Sequence, residues 1–118
     1  MEFENILSEK IQFADFLKVD IRAGTIVAVE DYPEARKPAY KLEIDFGKLG
    51  KKRSSAQITH HYKKEDLMGK QIIAVVNFPP KQIGKFMSEV LTLGLPDANG
   101  MVVLLAPTTT VPNGSRLF

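Results

Sequence analysis

Residues 19–46, VDIRAGTIVAVEDYPEARKPAYKLEIDF, contain the two patterns that decide the fold. Apolar and polar residues alternate from Val19, and beyond Gly24 an apolar run continues to Val29, which predicts one long strand. Because the alternation slips at Gly24, we expect a bulge or a sharp bend at this glycine. A long first strand that bends is typical of a small barrel, in which one strand serves both sheet layers.

The second half of this stretch predicts a loop and another strand. Pro33 and Pro38 interrupt regular pairing, so residues 31–39 are predicted to form a loop. From Tyr40 to Phe46, apolar residues alternate strictly with charged ones, which indicates a strand with one face in the core. Tyr40 and Phe46, the aromatic residues at the two ends of this strand, are therefore predicted core residues.

Outward from this stretch, the chain reads as short strands separated by turns. We predict a helix over 13–17, strands over 53–58, 71–76, 90–93 and 101–105, a helix over 59–68, a loop over 77–88 and a turn at 112–114. A helix between the third and fourth strands of five is the connectivity of an OB-fold. We therefore predict an all-β, five-stranded OB-fold barrel, and the pattern also fits a plain sandwich.

Length and composition predict one domain over residues 1–118, in which residues 1–12 are an N-terminal extension. The chain has no cysteine, which excludes disulfides, zinc ribbons, iron–sulfur clusters and thiol nucleophiles. No apolar run approaches the ~20 residues of a membrane span. The acidic start, MEFENILSEK, lacks the pattern of a signal peptide, so we expect a cytoplasmic protein.

The net charge of +2 conceals an uneven distribution along the chain. Residues 36–85 carry 12 basic and 4 acidic side chains, whereas residues 1–35 carry 3 basic and 8 acidic ones. A face that gathers this basic block would attract anions, nucleic acid or an acidic protein. A solvated, lysine-rich surface is the alternative.

Catalytic and cofactor motifs are not recognisable in the sequence. His60 and His61 are adjacent, so on a helix their side chains diverge by about 100°, and no other histidine or cysteine completes a metal site. The string GKLGKK at 47–52 lacks the spacing of a phosphate-binding loop. We therefore expect neither an enzyme nor a cofactor nor a metal, and binding remains as the function.

The segment 77–88 is both apolar and basic, which is unusual for a simple connection. OB-folds bind their ligands on the face of strands 2 and 3 and on the flanking loops. Cations around an apolar floor suit either an unfolded peptide or phosphates, and plain packing under a loop is the alternative. The predicted surface has the cations Arg36, Lys37, Lys41, Arg53, Lys81 and Lys85 around Phe78, Phe86 and Met87.

A second apolar surface is predicted on the N-terminal helix. Phe13, Phe16 and Leu17 lie at positions i, i+3 and i+4, which forms one stripe outside the order of the barrel strands. A monomer would leave this stripe in water, so we expect it to pack across a two-fold interface with part of the extended tail.

Five strings along the chain carry a resemblance to a known family. They are residues 19–47, then SSAQIT at 54–59, LMGKQIIAVVNFPP at 67–80, SEVLTLG at 88–94 and VPNG at 111–114. In this order they resemble the tRNA-binding-domain superfamily, and within it the export-related chaperones of the CsaA type. The resemblance runs from about Phe13 onward and implies an OB-fold homodimer that contacts itself through the N-terminal helix and the C-terminal segment.

The resemblance also implies a function. It suggests an ATP-independent chaperone for protein export that binds unfolded precursor proteins and the translocation motor SecA. The alternative is a structure-specific tRNA-binding module. The tRNA-binding modules usually have Ser-Gly where Ser55-Ala56 stands, and Glu89 is a carboxylate that phosphate would repel. Lys81 and Lys85 of the basic loop are retained. Because of the two departures, the resemblance implies the fold more strongly than it implies tRNA binding.

Overall fold

The computed structural model describes residues 6–118, so residues 1–5 of the predicted N-terminal extension lie outside the description. Short elements follow one another along the chain. They are α1 (Phe13–Leu17), β1 (Ile21–Asp31), β2 (Tyr40–Asp45), a 3-10 turn (Gly47–Leu49), β3 (Lys51–Ala56), α2 (Lys64–Leu67), β4 (Gln71–Val75), β5 (Lys81–Ile83), β6 (Phe86–Ser88), β7 (Leu91–Thr92), β8 (Gly94–Pro96) and β9 (Val102–Leu104).

The long strand β1 has two antiparallel partners and changes between them at Thr25. Its first half pairs with β4 and its second half with β2. This exchange of partners lies next to Gly24, where the bend was predicted. The register slip lies between Ile26 and Ala28, not at the glycine where a bulge was expected.

The five-stranded sheet has the order β3-β2-β1-β4-β7, and it curls until its two edges approach each other. The Glu89 N–H donates to the Arg53 carbonyl at 2.8 Å, and the Arg53 N–H donates to Glu89 Oε1 at 2.9 Å. The hydroxyl of Thr92 donates to that of Ser54 at 2.9 Å. The result is a nearly closed antiparallel barrel, which confirms the predicted OB-fold.

The barrel interior is filled from strands that alternate as predicted. Along β2, buried and half-buried residues alternate from Tyr40, and Phe46 follows as a fully buried side chain. Tyr40 is also buried, and its hydroxyl donates to the Tyr62 carbonyl at 2.8 Å. The largest fully buried side chains are Phe46, Ile26, Leu42, Ile44, Leu67 and Ile72.

Two predicted elements differ in the structure. The helix expected over 59–68 is reduced to the single turn α2, which begins with Asp66 accepting the Lys63 N–H at 3.2 Å. The loop expected over 77–88 contains the hairpin β5–β6, which reverses at Gly84, where φ is +63°. Strands of three residues are too short to show a periodic pattern, so the prolines and glycine around them predicted a loop instead.

The segment after β9 returns to the start of β1 and is fastened there. The Gln71 side chain donates to the Val111 carbonyl at 2.7 Å, and Thr25 donates to Asn113 Oδ1 at 2.7 Å. The Gly114 N–H then donates to the Ala23 carbonyl at 2.7 Å. In the part of the chain that the structure describes, no helix is long and apolar enough to cross a membrane.

Candidate binding surface

Phe86 belongs to the predicted binding surface, but its side chain is buried below that surface. Its ring is 8% exposed and stands 5.8 Å from the ring of Tyr32. The Arg53 guanidinium lies 4.9 Å from the Phe86 centroid, and the Lys41 ammonium lies 5.9 Å from it. An aromatic ring attracts a cation that lies over its face, so the contacts of Arg53 and Lys41 with Phe86 hold the hairpin against the barrel.

The burial of Phe86 corrects the expectation that it offers an open apolar contact. Phe78, with 53% exposure, and Met87, with 37%, are the exposed apolar side chains of the segment. Successive residues of a strand point to opposite faces, so Met87 faces away from the side on which Phe86 is buried.

Two cavities lie between β3 and the hairpin, and both are lined by Ser55, Gln57, Lys81 and Ile83. We call this continuous feature the β3 groove. One cavity, of about 440 Å³, extends to Phe78, Pro79, Ser88, Glu89, Val90 and Leu91. The other, of about 630 Å³, extends to the loop before β2 through Glu34, Ala35, Arg36, Lys37 and Ala39, and to the hairpin through Gln82 and Gly84.

The structure thus divides the predicted surface into parts. Arg36, Lys37, Lys81 and Phe78 line the β3 groove. Lys41, Arg53 and Phe86 instead line a smaller cavity of about 180 Å³ on the β1–β2 side. Lys85, at the hairpin turn, and Met87 line none of these three cavities.

Sequence reasoning missed three residues of this surface. Tyr32 anchors the hairpin through its ring and through a hydrogen bond from its hydroxyl to the Ile83 carbonyl, a contact across 51 positions that has no local signal. Leu91 is 50% exposed in the groove. Gln57 could have been found, because it continues the outward-facing positions of β3.

Glu89 has a different role from the one expected. Its carboxylate and its own N–H both bind the backbone of Arg53, so it closes the barrel where β3 meets the chain before β7. It also lines the β3 groove, and the negative charge remains beside any bound anion.

The predicted apolar stripe on α1 is exposed at two of its three positions. Phe13 is 70% and Leu17 51% exposed, whereas Phe16 is half-buried and stacks 5.9 Å from Phe13. The C-terminal segment lies beside this helix, since Arg116 donates to the Leu17 carbonyl at 2.9 Å. Further exposed apolar side chains flank α1 in sequence, namely Ile6, Leu7, Ile11 and Val19, and the C-terminal segment adds Leu117 and Phe118.

Two aspartates have lowered pKa values, and both hold separate segments together. The hydrogen bond from Arg22 at 2.6 Å, with the charges of Arg22 and Arg116, holds the pKa of Asp20 below its usual range. The hydrogen bond from His61 at 2.7 Å, together with the N–H groups of Met101 and Asn99, lowers the pKa of Asp97.

The titratable groups do not suggest chemistry beyond binding. Over residues 6–118 there is no group of three or more histidine, cysteine or carboxylate side chains that could hold a metal ion. His60 and His61 are both exposed and precede α2. The arrangement offers a groove with apolar and cationic walls.

Comparison with known proteins gives one family and two groups of similar chains. The family model of the tRNA binding domain matches residues 21–116. The crystal structure of chaperone CsaA from Bacillus anthracis is 56% identical, with a TM-score of 0.87, and the match covers 93% of this chain and 100% of that one. CsaA from Picrophilus torridus is 55% identical, with a TM-score of 0.86, over 92% of this chain and 100% of that one.

The second group consists of longer proteins. The methionine–tRNA ligase of Porphyromonas gingivalis is 38% identical over 111 residues, which is 94% of this chain. The chain spans 16% of the length of that ligase.

Proposed function

Since the chain belongs to the tRNA binding domain family, we propose that it is an ATP-independent chaperone that binds unfolded proteins. The matches to the two CsaA structures confirm the resemblance seen in the sequence. The observation that carries the proposal is identity above one half over the full length of both those chains. The function is one of binding, without a catalytic step.

The finer statement concerns protein export. A chaperone of this type would act in the cytoplasm, hold precursor proteins in an unfolded state and deliver them to SecA. Because no nucleotide-binding motif occurs in the sequence, release would depend on weak affinity or on transfer to the motor.

The β3 groove supports client binding by its chemistry. Phe78 and Leu91 provide exposed apolar area at one end, and Arg36, Lys37 and Lys81 provide positive charge elsewhere along it. Lys41 and Arg53 would widen the positive field outside the groove. Such a surface suits segments that combine acidic and apolar residues and disfavours basic ones.

The test compares an apolar with a cationic substitution in the same groove. Phe78→Ser should weaken the binding of reduced and alkylated α-lactalbumin more than Lys81→Gln, as measured by fluorescence anisotropy. Burial of an aromatic side chain contributes about 1.5–3 kcal/mol, whereas an exposed ion pair contributes about 0–1 kcal/mol. Both residues are exposed, so both variants should keep the parent melting temperature.

Lys85→Gln is the matched control, because this lysine lies at the hairpin turn outside the groove. If Phe78→Ser binds the client normally while Lys81→Gln fails, the groove does not act as an apolar client site.

A second candidate function is structure-specific tRNA binding, which the family model and the methionine–tRNA ligase relatives favour. It would use the same cations against phosphates. Binding through several lysines should then fall steeply between ~50 and ~200 mM salt, whereas apolar contacts should change little. Glu89, which lines the groove, opposes this alternative by charge.

The assembly we propose is a homodimer through α1 and the C-terminal segment. Phe13 and Leu17 expose an apolar stripe, and the neighbouring tail adds Leu117 and Phe118. Phe16 would support this stripe from its half-buried position. Contiguous apolar area of this kind on a small protein usually marks an interface.

A further inference from the structure

The β3 groove lies where the edge of β3 is not fully paired and the barrel stays open. β3 is an edge strand of the five-stranded sheet. Its edge is paired at Arg53 with Glu89, and the Ser55 N–H donates to Ser88 Oγ at 3.0 Å. Beyond Ser55 no further hydrogen bond joins this edge to residues 88–92 in the described chain, and Ser55, Gln57 and residues 88–91 line the gap that we describe as part of the β3 groove.

Backbone groups on this open edge lack strong partners. Pairing with β2 ends at Tyr40 and Ala56, and Gln57 follows as the next residue. Within residues 6–118, the backbone of Gln57 makes no hydrogen bond outside regular pairing, and the Ser55 carbonyl receives only a 3.4 Å contact from the Ser54 hydroxyl. Residues 53, 55 and 57 alternate away from β2, so these groups point towards the gap.

The side chains beside the gap indicate which kind of strand could pair with this edge. Phe78 and Leu91 are about half exposed at one end. Arg36, Lys37 and Lys81 form no ion pair with any carboxylate of the described part of the chain, so their charges remain available. A strand that added to this edge would therefore meet apolar area and unpaired cations.

From these observations we propose that an extended, acidic and apolar segment of an unfolded protein adds to β3 as a further strand at Ser55 and Gln57. This inference rests on the proposed chaperone function and specifies how the groove holds its client. Main-chain hydrogen bonds supply affinity that is independent of client sequence, and the walls favour alternating apolar and acidic side chains. A chaperone with varied clients needs that combination.

The same backbone groups disfavour RNA at this edge. A phosphate accepts hydrogen bonds and offers no donor, so it could pair with the Gln57 N–H but would leave the Ser55 carbonyl facing an acceptor. The Glu89 carboxylate, which lines the same gap, adds like charge. A peptide strand presents both an N–H and a C=O from each alternate residue and matches the edge.

The decisive pair of variants differs in whether position 57 keeps its backbone N–H. Gln57→Pro removes the N–H, and Gln57→Ala removes the side chain but keeps the N–H. Ala56 is in extended strand conformation, which a residue before proline favours, and Gln57 lies beyond the last ladder pair, so the fold should persist. Circular dichroism and melting temperature check this for both variants.

The probe is a fluorescent octapeptide of alternating valine and aspartate, blocked at both ends. We expect Gln57→Pro to bind it about fivefold or more weakly than Gln57→Ala, the size of a lost hydrogen bond, because both variants lose the glutamine side chain and only the proline loses the N–H. Two N-methylated versions of the probe, one modified at the valines and one at the aspartates, should also differ in affinity by about fivefold or more. In an added strand, only the N–H groups of alternate residues face β3, so methylation weakens binding at one set and not at the other.

The outcomes separate this inference from the function on which it rests. Equal binding by the two position 57 variants, or equal binding of the two N-methylated probes, would overturn strand addition while leaving a side-chain groove. Failure of the unmodified probe and of unfolded α-lactalbumin to bind the parent protein would overturn the chaperone function itself. Displacement of the probe by tRNA with a steep salt dependence would assign the edge to RNA and likewise overturn the inference.

Discussion

Gly24 is a residue of β1 at which the barrel core leaves no room for a side chain. A Cβ built on Gly24 would lie 2.7 Å from Ile44 Cγ2 and 2.8 Å from two ring atoms of Phe46. Both neighbours are fully buried core side chains, so neither can move aside without cost. The glycine is required by close approach across β1 and β2, since its φ is not in the left-handed region.

We therefore predict that Gly24→Ala lowers the free energy of unfolding by about 1–3 kcal/mol, the cost of overpacking a core. Urea denaturation measures the change. Gly50→Ala gives a comparison of another kind, because a Cβ there meets no atom within 4 Å and the change measures only the cost of a φ of 87° for an L residue. A Gly24→Ala protein as stable as the parent would contradict the close packing described for β1 and β2.

At the scale of elements, the connection between Asp20, Arg22 and Arg116 determines how the tail meets α1 and β1. Arg22 donates to Asp20 at 2.6 Å and to the Gly114 carbonyl at 3.0 Å, and Arg116 lies 3.5 Å from the same carboxylate. These partners lower the pKa of Asp20 in the folded state. A group with a lowered folded pKa contributes stability that is complete above its unfolded pKa and is lost as pH falls through the folded value.

Asp20→Asn should accordingly reduce the free energy of unfolding at pH 7 by about 1 kcal/mol. The deficit should begin to shrink as the pH falls below ~4, where an unfolded aspartate takes up a proton, and should be lost once the pH has fallen through the lower pKa of the folded carboxylate. Chemical denaturation at a series of pH values measures both effects. Glu65→Gln, at an exposed carboxylate with no ion pair in the described chain, should follow the parent curve. A deficit that stays constant down to pH 2 would assign the effect to packing.

How far the sequence predicts an element depends on how local its cause is. The alternation from Tyr40 to Phe46 is a local pattern of seven residues, and the structure confirms both the strand and its buried face. The hairpin β5–β6 was missed, since its strands have three residues each and its stability comes from Tyr32 and Arg53, far away in sequence.

The candidate surface follows the same rule. Its cations were predictable as a basic block, because charge can be counted along the chain. The burial of Phe86 and the barrel closure by Glu89 were not, since both depend on which distant strand lies opposite. What the sequence could not show is the division of one supposed surface into the β3 groove and a smaller cavity on its far side.

At the scale of the whole molecule, the proposed dimer makes a direct prediction. The parent protein should sediment at micromolar concentration with twice the 13.2 kDa mass of the chain. Leu17→Asp, which introduces charge into a half-exposed position of the apolar stripe, should shift it to the monomer. Leu95→Asp, at another exposed leucine that lies in the β8–β9 pair and not in α1 or the C-terminal segment, should remain dimeric. A monomeric parent protein would remove the dimer and leave the exposed stripe without an explanation.

The attachment of the tail to β1 has a consequence for synthesis on the ribosome. Gly114 accepts a hydrogen bond from Arg22, which is 92 positions earlier in the chain. At about 5–20 residues per second, translation takes several seconds to make that stretch. During this interval one edge of β1 has no native partner, and exposed strand edges attract other chains. We therefore expect the nascent protein to need protection of the kind that we propose it gives to others.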